Sequence, residues 1–144
     1  MQLSEPQLPH LTVVNKPLHL AYGRPLTEIL ADLAKPVPQR FLAQRRQGGT
    51  LLTYIPWHHV NRLLDYFAPG WEGEVTKIMT TSDRAFVVYK LTLHAAEGSF
   101  SREATGTELL KCSSYGDPSS NAESMAFRRA AARFGLGLGL YQKD

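Results

Sequence analysis

At Pro69-Gly70 the sequence changes its period, and that change bounds the fold. Upstream, Trp57, Val60, Leu64 and Phe67 recur at helical spacing and form one apolar stripe. His58, His59, Asn61, Arg62 and Asp65 lie off it, and Pro56 suits the first helical turn. Downstream, "WEGEVTKIMTT" alternates with period two, Glu74, Thr76 and Ile78 on one side and Val75, Lys77 and Met79 on the other. "RAFVVYKLTLHA" is rich in β-branched and aromatic residues, and "SFSREATGTELLKC" is a third candidate strand. Ser82-Asp83 and Glu97-Gly98 supply the turns between them. The pattern then returns to helical in "SSNAESMAFRRAAARFGLGLGLY". The order predicts an α+β fold with a helix-β-β-β-helix core, a three-stranded antiparallel meander packed by helices.

The flanks are read as follows. Residues 1–23 hold three prolines and little periodicity, and read as an extended N-terminal arm with a short strand at Leu11–Val14. Residues 24–144 read as one domain. In "RPLTEILADLAK", Leu26, Ile29, Leu30 and Leu33 fall at helical spacing, closed by Pro36. "PVPQRFLAQRRQGG" is expected to hold a further helical turn ending at Gly48-Gly49, just after Arg40, Arg45 and Arg46. In the last helix, Ser120 and Glu123 have the spacing of a capping box, and Gly135 suits a left-handed stop.

The 43% hydrophobic and 20% charged content is that of an ordinary globular chain. No apolar run approaches a membrane span, and no secretory signal is visible. Cys112 is the only cysteine, so no internal disulfide or multi-cysteine zinc site is expected, and an intracellular, reducing setting follows. Cytoplasm, nucleoid and organelle all fit that setting. The net charge of +3 is unevenly spread. Arg24 to Arg62 carries six basic and two acidic residues, a balance of +4; Leu63 to Ser120 carries five and eight, a balance of −3. Asn121 to Lys143 returns to +3. Brought together by the fold, the two basic blocks would form a surface for a polyanion; apart, they are solvated charge.

The last helix carries part of the second basic block. At about 100° per residue, Phe127, Ala130, Ala131 and Phe134 share a packing face. Arg128 lies at its border, and Arg129, Arg133 and Met125 lie on the far side. A merely amphipathic helix with a solvated basic face fits this geometry as well as a binding helix does.

Three stretches carry a resemblance. "RRQGGTLLTYIPWHHVNRLLDYFAPGWEGEV", "REATGTELL" and "AFRRAAARFGLGLG" together resemble, in order and spacing, the Rad-fifty-two family of single-strand annealing proteins, of the short DdrA-like prokaryotic, phage or organellar type. The resemblance covers roughly residues 40–140. It implies a homo-oligomeric ring with an outer groove, in which single-stranded DNA lies with its backbone inward and its bases free to pair. It implies ATP-independent annealing of complementary strands in recombination and double-strand break repair, with no enzymatic chemistry, cofactor, metal or membrane. The family's groove-floor basic pair falls on Arg128 and Arg129, and its basic residue before the glycine turn falls on Arg45 or Arg46. Arg133, Arg40, Tyr54 and Arg62 complete the candidate DNA-binding set. A second DNA site would draw on Lys77, Arg84, Lys90, Arg102 or Lys111. The family's long C-terminal half has no counterpart in the resemblance, so recombinase or ssDNA-binding-protein partners are not implied.

Other constellations are weaker. "GLGLGLY" follows a helix, where a phosphate-binding glycine loop should precede one; an extended segment packing Leu136, Leu138 and Leu140 is expected instead. His58 and His59 point in directions about 100° apart on a helix and are not expected to share a metal. Asp83, Glu103, Glu108 and Asp117 show no nuclease pattern. Trp57, Trp71 and Tyr54 could stack bases, although Trp57 sits on the apolar stripe and is expected in the core. Two alternatives stand beside annealing. A double-stranded-RNA-binding-type module shares the element order but would want lysines opening its second helix. A structural oligomerisation domain would explain the Leu/Gly tail but not the arginines.

Overall fold

The computed structural model describes residues 23–112 and 116–142. The expected arm, with its strand at Leu11–Val14, lies outside the described residues. The first element among the described residues is helix α1 (Leu26–Leu33), with Ile29 and Leu33 fully buried. Arg24 ties it down: its guanidinium pairs with Asp32 and donates to the Phe67 carbonyl at 3.0 Å. A 3-10 turn (Gln39–Phe41) follows.

That 3-10 turn is the expected helical turn, but it stops short of Gly48-Gly49 and a strand follows it. Residues Ala43–Gln47 form strand β1, paired antiparallel with β2 (Thr50–Tyr54). Gly48 and Gly49 have φ of 58° and 81°, the two positive values that a two-residue hairpin turn requires. The alternation that would have announced these strands is absent because β1 is polar and exposed, while in β2 the apolar Leu51 and Leu52 are adjacent and break the period of two.

Helix α2 (Trp57–Phe67) starts at Pro56 as expected and buries Val60, Leu63, Leu64 and Phe67. Trp57 does not join them. At 52% exposure it stands in solvent, because the stripe's first residue precedes the point where α2 meets the core.

The meander is present: β3 (Glu72–Thr80), β4 (Arg84–Ala95) and β5 (Gly98–Leu109), antiparallel in that order. The alternation read for β3 is broken by a bulge between Val75 and Lys77. Central β4 alternates strictly, burying Ala85, Val87, Tyr89, Leu91 and Leu93 on one face. Each large aliphatic side chain so buried contributes roughly 1.5–3 kcal/mol. At one end of the sheet, buried His94 hydrogen-bonds Ser99 at 2.7 Å and Glu72 at 2.5 Å, joining all three strands.

Helix α3 (Pro118–Arg133) lies on that apolar face, with Phe127, Ala130, Ala131 and Phe134 buried as the helical wheel predicts. Ala122 and Ala126 are also buried, and opposite them stands Gly106 of β5. A Cβ on Gly106 would lie 2.0 Å from the Ala122 carbonyl oxygen, so the glycine permits backbone-to-backbone approach. The helix begins earlier than expected. Asp117, not Ser120, is the cap, its carboxylate accepting from the backbone N–H groups of Ser119 and Ser120, with Pro118 in the first turn. Gly135, at φ 110°, ends the helix: its N–H donates to the Ala132 carbonyl and that of Leu136 to Ala131, a Schellman motif. The tail is not extended. It forms a 3-10 turn (Leu138–Tyr141) in which Leu136 is buried, Leu140 packs partly against the core and Leu138 is exposed. Among the described residues, no helix is long and apolar enough to cross a membrane.

Candidate nucleic-acid interface

The β1–β2 hairpin and the middle of α3 face each other across a cleft. The hairpin register puts Arg45 opposite Leu52, hence on the same face as Tyr54, while Arg46, opposite Leu51, points the other way. The Arg45 guanidinium lies 5.1 Å from the Tyr54 ring centroid. From the other wall, Arg128 brings its guanidinium within 5.4 Å of the same ring. Two residues from the two basic blocks thus converge on one tyrosine, each at cation–π distance. Buried Ile55, next in sequence, anchors that tyrosine to the core.

Arg128 is half-buried, and burial pushes its guanidinium below the ordinary value. The positive charge of Arg45 pushes the same way, while a hydrogen bond with Tyr141 opposes it. An arginine remains charged under these conditions. The ion pairs among the described residues involve Arg24, Lys35 and His94, and none involves Arg45, Arg46, Arg128 or Arg129. Arg128 is thus a partly desolvated cation with exposed Arg45 close by, and among the described residues neither has a carboxylate partner; an anion entering here would relieve both the repulsion between them and the lost solvation of Arg128.

The cleft has two connected parts. The inner part, about 380 Å³, is apolar at its base, with Ile55, Val60 and Leu136, and carries Arg45, Arg128 and Arg129 above. The outer part, about 800 Å³, runs past Arg46, Trp57, His58 and Arg84. Glu108 is its one acidic lining residue, and it accepts from Asn121 at 3.2 Å.

The expected residues divide accordingly. Arg128, Arg45 and Tyr54 are brought together, and Arg46 lines the outer cleft. Arg129 is exposed at the inner cleft and donates to the Thr105 carbonyl at 3.2 Å. Arg40, over the Phe41 ring at 4.8 Å, Arg62 on α2 and Arg133 line neither part. Arg129 and Arg133 are both exposed, but only the first reaches the cleft. Of the residues weighed for a second site, Arg84 instead enters this cleft, bonded to Thr107 at 3.1 Å. Arg102 lies over the Phe134 ring and donates to the Arg133 carbonyl. Tyr141 escaped the sequence reading, since it follows a glycine–leucine run without helical or strand periodicity.

The remaining constellations have local roles. His59 hydrogen-bonds the Phe41 carbonyl at 3.0 Å, and its ring lies 4.4 Å from that of His58. Among the described residues no three His, Cys, Asp or Glu side chains gather as a metal site. Asp83, Glu103, Glu108 and Asp117 accept from Thr81, Thr76, Asn121 and Ser119 respectively, in separate places.

Comparison with known proteins extends this picture beyond the cleft. The family described as Rad52/22 family double-strand break repair protein matches residues 26–144, which include every element from α1 onward. The chain is 46% identical over 124 residues to the DNA repair RAD52-like protein 1, mitochondrial, of Arabidopsis thaliana, covering 85% of this chain and 70% of that protein. It is 43% identical over 124 residues to the DNA repair RAD52-like protein 2, chloroplastic, of the same plant, covering 83% of this chain and 62% of the relative.

Proposed function

The chain belongs to the Rad52/22 family of double-strand break repair proteins, and from that membership we propose that it serves DNA repair and recombination by binding single-stranded DNA and annealing complementary strands. The observation that carries the reading is the convergence of Arg45 and Arg128 on Tyr54, in an open cleft and without a carboxylate partner. Guanidinium groups form paired, charge-assisted hydrogen bonds with phosphate oxygens. Backbone contacts carry no sequence information, so binding is sequence-tolerant and salt-sensitive. A strand held by its phosphates keeps its base edges free, and the neutralised backbone repels a second strand less. No covalent bond changes, so annealing needs neither nucleotide nor metal.

In this reading Arg45, rather than Arg46, is the hairpin's inner phosphate ligand, with Arg129 beside Arg128 and Arg46 further along the strand. Arg40, Arg62 and Arg133 are not assigned to this cleft. The protein works as an oligomer, in ring form, so that clefts of successive copies make one continuous groove. Ile78 and Met79, 62% and 47% exposed on edge strand β3, offer apolar surface to a neighbour. The names of the two plant relatives favour an organellar site of action.

The test is the annealing rate of two complementary oligonucleotides without ATP, for wild type and for the Arg128→Ala/Arg129→Ala double variant. Acceleration by wild type, lost in a variant that still assembles, is expected. No acceleration by folded, oligomeric wild type would overturn the proposal.

A further inference from the structure

We infer that Trp57 is a base-stacking platform at the rim of the cleft, taking the face of one nucleobase from the strand whose phosphates the arginines hold. The inference rests on the DNA-binding reading above and adds to it a contact with the bases. Trp57 opens α2, three residues beyond Tyr54, and is 52% exposed. It lines the outer cleft together with Arg45, Arg46, Arg84 and Arg128. Its ring and that of His58 stand perpendicular, at 5.9 Å and 87°, and about half of the side chain stays open to solvent. Among the described residues its indole N–H has no acceptor.

The second tryptophan shows what a structural role looks like here. Trp71 stacks on Phe127 at 5.7 Å and 23°, and its N–H donates to Asp65 at 2.7 Å. The chain holds only two tryptophans. One is packed and bonded; the other is half exposed in a wall that carries four arginines and Glu108 on one side and borders Glu123 and Phe127 on the other. Exposed indole surface is unfavourable in itself. Beside guanidinium groups that bind phosphate, the flat apolar partner it suits is a nucleobase. Stacking tolerates any base, because every base has a π face. It covers a face and leaves the pairing edge open, so the contact is compatible with annealing.

The experiment compares oligo(dT) with an abasic oligomer of the same length, for wild type, Trp57→Ala and Trp57→Phe. Wild type should prefer oligo(dT) by about ten-fold, the range set by stacking one base on an aromatic side chain. Trp57→Ala should lose that preference while keeping the wild-type salt dependence, and Trp57→Phe should keep most of it. Fluorescence gives an independent readout, which survives if the alanine variant fails to fold. Oligo(dT) should quench Trp71→Phe, in which Trp57 is the sole tryptophan, and leave Trp57→Phe unquenched. A Trp57→Ala protein that keeps the preference, or quenching that follows Trp71, would overturn the inference while leaving DNA binding intact. Loss of assembly in Trp57→Ala, with both oligomers bound equally weakly, would overturn it in favour of a contact between copies. Wild type that binds neither oligomer would sink the DNA-binding reading and this inference together.

Discussion

Arg128 and Tyr54 are 74 residues apart in sequence, yet the guanidinium of the first lies 5.4 Å from the ring centre of the second. Helix α3 supplies one and the hairpin the other, so the contact exists only when the hairpin is docked beside the helix. Arg45 shares the ring at 5.1 Å. The tyrosine therefore holds two like charges near one another in the cleft.

Arg128→Ala removes the half-buried cation and, on the proposed DNA-binding reading, one phosphate contact. Affinity for single-stranded DNA is expected to fall about ten-fold or more, the worth of a hydrogen bond to a charged group. The slope of log affinity against log salt should shrink by about 0.7, the value for one contact on a single strand. Arg128→Lys should keep the slope and recover only part of the affinity, since an ammonium lacks the planar fork. Salt titrations by fluorescence anisotropy measure both quantities.

Tyr54→Phe and Tyr54→Ala separate the ring from its hydroxyl. The cation–π contacts use the ring alone, at about 0.5–1 kcal/mol each. The phenylalanine variant should bind DNA close to wild type. The alanine variant frees both guanidinium groups, and a loss of several-fold to roughly ten-fold in affinity is expected. Equal loss in the two variants would show that the hydroxyl, not the ring, matters.

Gly106→Val tests the packing of α3 on β5. Its Cβ would meet the Ala122 carbonyl oxygen at 2.0 Å and the Ala126 nitrogen at 2.6 Å, both backbone atoms that cannot rotate aside. Overpacking of this kind destabilises by about 3 kcal/mol or more. Urea denaturation should show the lowered midpoint, and DNA binding should weaken with it because α3 carries Arg128.

Asp117 should make stability depend on pH. Hydrogen bonds from the Ser119 hydroxyl and the Ser120 N–H hold its carboxyl below the ordinary 3.8. A carboxyl depressed in the folded state adds stability above 3.8, and that stability is lost as pH falls through the folded value. Asp117→Asn keeps a capping oxygen without the titration. The gap in Tm between wild type and Asp117→Asn should close as pH drops below 3.8, and a gap that stays constant would contradict the ionised cap.

Much of the framework is legible in the sequence because burial imposes period. Val60, Leu64 and Phe67 in α2, the alternation of β4 and the Phe127–Phe134 face of α3 are each dictated by one face meeting a core. The hairpin was not legible. Its first strand is polar and exposed and its second sets Leu51 beside Leu52, so no period-two pattern marks them, and only Gly48-Gly49 hinted at a turn. Trp57 misled for the opposite reason, since it has the right spacing but lies at the helix end, beyond the packed surface.

By itself, the sequence determined the family, the α+β order and the placement of a basic pair at the edge of a packing face. These follow from local spacing and residue type, which the chain carries before it folds. Which arginines lie together was decided by tertiary structure alone. Arg45 rather than Arg46 shares the Tyr54 ring with Arg128, because strand register sets the face, and Arg62 on α2 does not line the cleft. Register and docking are set by contacts between distant segments, and no spacing along one segment encodes them.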